Sequence, residues 1–72
     1  MAEQVNLFDI VALLEDLPEK NLKRGQVGTI VEELAPGVYE VEFSDNQGQT
    51  YAQQAITAAQ LLVLYYQPLK VA

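Results

Sequence analysis

Two runs close together, Gly25-Gln26-Val27-Gly28-Thr29-Ile30-Val31-Glu32 and Gly37-Val38-Tyr39-Glu40-Val41-Glu42-Phe43, restrict what this chain can fold into more than any other stretch. In the second run Tyr39, Val41 and Phe43 share one face of a strand while Glu40 and Glu42 share the other, the alternation of a sheet with one side buried and one wet. A slip of one residue would carry both glutamates into the core, so the register is strongly set. Between the runs, Ala35-Pro36-Gly37 is a turn with a mechanism: proline presets one central torsion and glycine accepts the positive one that follows. A hairpin is expected. Gly25 and Gly28 bracket the start of its first strand, which runs to about residue 34. A glycine there marks a bulge, a bend or a close backbone approach, and bending of the strand is the favoured account.

The remaining segments extend this hairpin into a small sheet. Residues 6–17 read two ways. Leu7, Ile10, Val11, Leu14 and Leu17 recur at helical spacing behind Asn6 as a cap, yet residues 10–14 are also a continuous apolar run of the kind found in a fully buried short strand. A strand at residues 9–14 is favoured, because the hairpin needs a sheet partner more than a lone helix. Pro18 stops whatever precedes it. Residues 15–24 form a long polar loop, pinned to the core by Leu22. Ser44-Asp45-Asn46-Gln47-Gly48 is a second turn. Residues 50–56 resume as a strand with Tyr51 and Ile56 as its large anchors; its glutamines and alanines mark it as the weakest strand and a candidate edge. Thr57-Ala58-Ala59-Gln60 suits one tight helical turn with Thr57 as cap. Residues 61–65 close the fold as a last strand before Pro68. Five short strands, a long loop after the first and a helical turn before the last give an all-β chain in the order of a small SH3-like barrel, whose sheet curls until its faces meet on one core. The alternative is a helix packed on a four-stranded meander. Residues 1–72 make a single domain, with 1–6 and 68–72 as expected tails.

Composition excludes several chemistries. The 72 residues contain no cysteine and no histidine, so disulfides, thiolate metal sites, cysteine nucleophiles and the usual proton shuttle near neutral pH are absent. Gly25, Gly28 and Gly37 are followed by no Gly-Lys-Ser or Gly-Lys-Thr, and Asp45-Asn46-Gln47-Gly48 lacks the repeated carboxylates and closing glutamate of a calcium loop. Glu40 and Glu42, with Glu32 or Glu33 across from them, read as a solvated acidic face rather than a catalytic pair. A barrel this small fills its interior with side chains, so any ligand sits on the outside. No enzyme activity, cofactor or metal is expected. Ten acidic against four basic residues give a net charge of -6, which repels nucleic acid and anionic membrane surfaces. No apolar run approaches the roughly 20 residues of a membrane span, and Met1-Ala2-Glu3-Gln4 lacks the basic region of a secretory signal, so a cytoplasmic location is expected.

Several of these elements together, Leu7-Phe8-Asp9-Ile10-Val11-Ala12-Leu13-Leu14, Leu22-Lys23-Arg24-Gly25-Gln26-Val27-Gly28-Thr29-Ile30-Val31-Glu32, Tyr39-Glu40-Val41-Glu42-Phe43 and Gln60-Leu61-Leu62, resemble a small family of uncharacterised bacterial proteins, common in cyanobacteria, that forms a domain of unknown function. The resemblance covers nearly the whole chain, and the element order is similar to that of other SH3-like modules, including small subunits of larger bacterial complexes. It implies the barrel and no reaction, since the matched positions are fold determinants. Ala52-Gln53-Gln54-Ala55 departs from the pattern, being smaller and more polar than expected there.

A binding role remains. The chain is expected to be a non-catalytic protein-protein interaction module, a small subunit or neutralising partner of a larger protein, with self-association left open. Candidate partner-binding residues are Tyr65 and Tyr66, of which a strand could bury at most one, the acidic face of Glu40 and Glu42, and the loop cations Lys23 and Arg24. Phe8, Leu69 and Val71 would extend the tyrosine patch. The alternative is a nucleic-acid accessory module using Lys20, Lys23 and Arg24, which requires those cations to converge rather than disperse among Glu15, Asp16 and Glu19.

Overall fold

The computed structural model describes residues 4–65. Five strands follow in order: β1 (Ile10–Leu13), β2 (Val27–Ala35), β3 (Val38–Ser44), β4 (Thr50–Thr57) and β5 (Leu61–Val63). They form one antiparallel sheet in the order β4-β3-β2-β1-β5. The only helical elements among the described residues are 3-10 turns at Pro18–Lys20, in the β1–β2 loop, and at Ala58–Gln60, before β5. The all-β expectation therefore holds, and residues 6–17 contain a strand and not a helix.

The hairpin β2–β3 and strand β4 carry the alternation read from the sequence. Tyr39, Val41 and Phe43 are buried, and Ile30 lies opposite Val41. Ile56, opposite Tyr39, is fully buried on β4, while Leu61 and Val63 come in from β5 at the other edge. Residues from both outermost strands thus share one core with Val11 and Leu13 of β1, which a flat sheet could not achieve. The curl has visible causes. Against β3, β2 carries an extra residue between Ile30 and Glu32 and another between Glu33 and Ala35, and each such bulge bends the strand and increases its twist.

Gly28 has a different job. It is buried opposite Phe43, and a Cβ there would stand 2.7 Å from Val41 Cγ1 and 2.8 Å from the Glu42 carbonyl oxygen. The backbone of β2 lies against β3 and its side chains so closely that only glycine fits. Bending is therefore not the account of Gly28; close approach is. Gly25 and Gly37, with φ of +92° and +77°, do serve turns.

The long loop is held at both ends. Leu17 and Leu22 are buried and bridge each other, the Leu17 N–H donating to the Leu22 carbonyl at 2.8 Å and the Leu22 N–H to that of Leu17 at 3.1 Å. Asn21 turns the chain between them with φ of +58°, a left-handed torsion that asparagine tolerates. Leu22 anchors the loop as expected, with Leu17 as its partner.

Three expectations are corrected here. Tyr51 is not a core anchor: it is 49% exposed because it is the extra residue of a bulge where β4 starts, between the pairs Phe43–Ala52 and Ser44–Thr50. Its hydroxyl instead accepts from Gln26 Nε2 at 3.1 Å. Val5, placed in a tail by its sequence position, belongs to the core. The final strand ends at Val63, two residues earlier than expected. The expected tail at 68–72 lies outside the described residues.

Candidate functional site

β1 sits at the middle of the β2-β1-β5 side of the sheet and is apolar throughout, Ile10-Val11-Ala12-Leu13. Val11 and Leu13 point into the core and are essentially inaccessible. Ile10 and Ala12 therefore point outward. A strand apolar on both faces belongs to a sheet covered on both sides, as where helices or a second sheet pack over it. Ile10 and Ala12 are half-buried, and among the described residues β1 makes extensive contact only with β2 and β5, its neighbours within the sheet.

The register shows what surrounds it. Ala12 stands opposite Val27 of β2 on one side and Leu62 of β5 on the other, forming one apolar row across three strands. Val27 is 42% and Leu62 46% exposed, although both are large apolar residues within strands. Leu14 continues the outer line of β1, is equally exposed, and donates its N–H to the Gln60 carbonyl at 2.9 Å. In the neighbouring row Ile10 pairs with Thr29, and the Leu64 N–H donates to the Ile10 carbonyl at 2.8 Å.

The same face turns acidic toward β3. Thr29 stands opposite Glu42, and Glu42 opposite Gln53, so the row through Ile10 runs from apolar to charged to amide across four strands. The bulge at Val31 brings Glu32 directly opposite Glu40. Two carboxylates facing across strands repel and weaken the sheet locally, so this position costs stability in the isolated chain. An apolar strip bordered by carboxylates is the result.

The expected candidates divide accordingly. Glu40 and Glu42 are half-buried on the acidic part of this face. Tyr65, one residue beyond Leu64, is 62% exposed, and Phe8, near the start of β1, is 73% exposed with φ of +69°. Tyr66, Leu69 and Val71 lie outside the described residues. Lys23 and Arg24 are exposed on the long loop, and Lys23, with Asp16, Pro18, Asn21 and Leu22, lines a shallow depression of about 240 Å³. Acidic groups are mixed among them: the Asp16 carboxylate accepts the Arg24 backbone N–H at 2.9 Å, and Glu19 lies in the 3-10 turn beside Lys20. Among the described residues no three carboxylates come together to hold a metal ion.

The row Val27, Ala12 and Leu62 was missed as a site from the sequence. Its signal was present in the five-residue apolar run from Ile10, since a strand apolar on both faces asks for a cover on each.

A family model described as a domain of unknown function, DUF4926, matches residues 7–63. The chain belongs to this family. The matched span takes in all five strands of the sheet, and with them both sides of the apolar row. No curated protein and no solved structure matches the chain. Among the described residues no helix is long and apolar enough to cross a membrane.

Proposed function

We propose that this protein is a non-catalytic, cytoplasmic interaction module of SH3-like barrel form that docks another protein, as a small subunit or a neutralising partner, through the outer face of β2, β1 and β5. One observation carries this: β1 is apolar on both faces, and among the described residues only its inner face meets the core. In a domain of 72 residues, where burial of apolar surface is the main stabilising term and is scarce, leaving Val27, Leu62 and Leu14 in water is a cost that a partner removes. The carboxylates of Glu32, Glu40 and Glu42 beside the strip favour a partner whose apolar contact is flanked by lysine or arginine. Such a partner also relieves the repulsion between Glu32 and Glu40, and its encounter is faster at low salt.

The nucleic-acid reading is not favoured. Lys20, Lys23 and Arg24 share their loop with Glu15, Asp16 and Glu19, so the local field is mixed, and the whole chain carries -6.

The test is affinity capture from the source lysate with wild type and with Leu62→Glu, eluting along a salt gradient. Wild type is expected to retain a specific protein that Leu62→Glu loses, with retention weakening as salt rises. Equal capture by both would overturn the docking face, and binding of mixed RNA and DNA by the wild type at low salt would favour the other reading.

A further inference from the structure

The second open feature is an edge and not a face. β4 ends the sheet, and among the described residues no strand pairs with its far side. Soluble proteins blunt such edges with lysine, proline, bulges or short length. β4 is eight residues long, Thr-Tyr-Ala-Gln-Gln-Ala-Ile-Thr, with no charge and no proline, and its one bulge lies at Tyr51.

Which backbone groups face outward follows from two hydrogen bonds. The Ala58 N–H donates inward to the Gly37 carbonyl at 2.9 Å, whereas the Thr57 N–H turns outward and is taken by Gln60 Oε1 at 3.1 Å. Backbone groups alternate in direction along a strand, so Ala55 and Gln53 present their N–H and C=O groups outward as Thr57 does. The open window therefore runs between a bulge at Tyr51 and an N–H already satisfied at Thr57. Its centre is Gln54.

We propose that a second copy of this chain pairs with this edge, β4 against β4 antiparallel, about a two-fold axis through Gln54. A two-fold perpendicular to the sheet keeps each residue on its own face, so paired positions must share parity. Centring on Gln54 satisfies that condition. Gln53 of each copy then exchanges two N–H···O=C bonds with Ala55 of the other, making four in all, and Gln54 faces Gln54. The side-chain amide carries both donor and acceptor and complements its own copy. Both ends of the window coincide in this register and in no other. Copies that each carry -6 repel at long range, and this edge adds nothing to that repulsion, since it brings no carboxylate directly opposite another. The departure of Ala52-Gln53-Gln54-Ala55 from a more apolar strand becomes intelligible as an edge built for pairing.

The inference is independent of the docking face, and the experiment separates them. The chain has no cysteine, so single introduced thiols report alone. Facing residues that are not mutually hydrogen-bonded sit about 4.5 Å apart between Cα atoms, within disulfide reach. Light scattering on the wild type is expected to give the mass of two chains at high concentration and of one on dilution. Gln54→Cys is expected to form a covalent dimer on mild oxidation, while Ala55→Cys, whose Cα faces Gln53 of the other copy, stays largely uncrosslinked. Leu62→Glu should leave this dimer intact. Gln53→Pro, which removes an outward N–H without touching the β3 ladder, should give one-chain mass with an unchanged circular dichroism spectrum. A one-chain mass at every concentration would overturn the proposal. So would a dimer that Leu62→Glu dissolves, or equal cross-linking of the two cysteine variants.

Discussion

Gly28 shows how much one missing side chain can hold. The 2.7 Å and 2.8 Å approaches to Val41 and to the Glu42 carbonyl leave no room for a methyl group, and one of these neighbours is backbone. Gly28→Ala is therefore expected to cost about 1–3 kcal/mol, the usual penalty of overpacking, read as a lower urea midpoint with an unchanged slope. Gly25 differs in kind. Nothing lies within 4 Å of its Cβ position, and only its φ of +92° resists substitution. From sequence the two glycines looked alike. Their spacing around the start of β2 was legible, but which one meets β3 depends on a pairing between residues far apart in the chain. Tyr51 was obscured in the same way, because a bulge exists only in the register of two strands. By contrast Phe43 was placed correctly, since period-two alternation is written locally. Phe43→Ala should cost about 3–5 kcal/mol, comparable with the whole stability of so small a domain, and is expected to leave the chain unfolded by circular dichroism.

At the level of elements, β1 is the strand whose sequence asks for more than the fold provides. Its apolar run was ambiguous because Leu7, Ile10, Val11, Leu14 and Leu17 fit a helical period; in the structure Val11 and Leu17 are buried while Leu7 and Leu14 are exposed. The helical face is not realised, and the period was a by-product of a strand apolar on both sides. That double character was legible. Which of its faces meets the core was not, because that depends on how strands distant in sequence pack around it. Neighbouring positions of this sheet should therefore respond differently. Leu13→Ala, which opens a cavity in the core, should cost about 2–5 kcal/mol, whereas Leu62→Glu on the outer face should change stability by less than about 0.5 kcal/mol in the same denaturation assay. If Leu62→Glu instead destabilised the isolated chain as much as Leu13→Ala, the outer face would be part of its own core.

The described residues form a curled sheet with one core, an exposed apolar outer strip and an uncharged edge with no strand paired to it among them. The chain's net charge of -6 is spread unevenly: Glu32, Glu33, Glu40 and Glu42 lie on β2 and β3, while β4 and β5 carry none. Charge balance alone predicted an acidic chain that repels nucleic acid and anionic membranes but could not say that the carboxylates border an apolar row. That arrangement arises from the bulge at Val31, which sets Glu32 opposite Glu40. The most direct test compares capture by Leu62→Glu with capture by Leu34→Glu, since Leu34 is similarly exposed (47%) but lies at the far end of β2. The outer face of β2, β1 and β5 predicts that the partner retained by wild type is kept by Leu34→Glu and lost by Leu62→Glu; loss by both, or by neither, would contradict it.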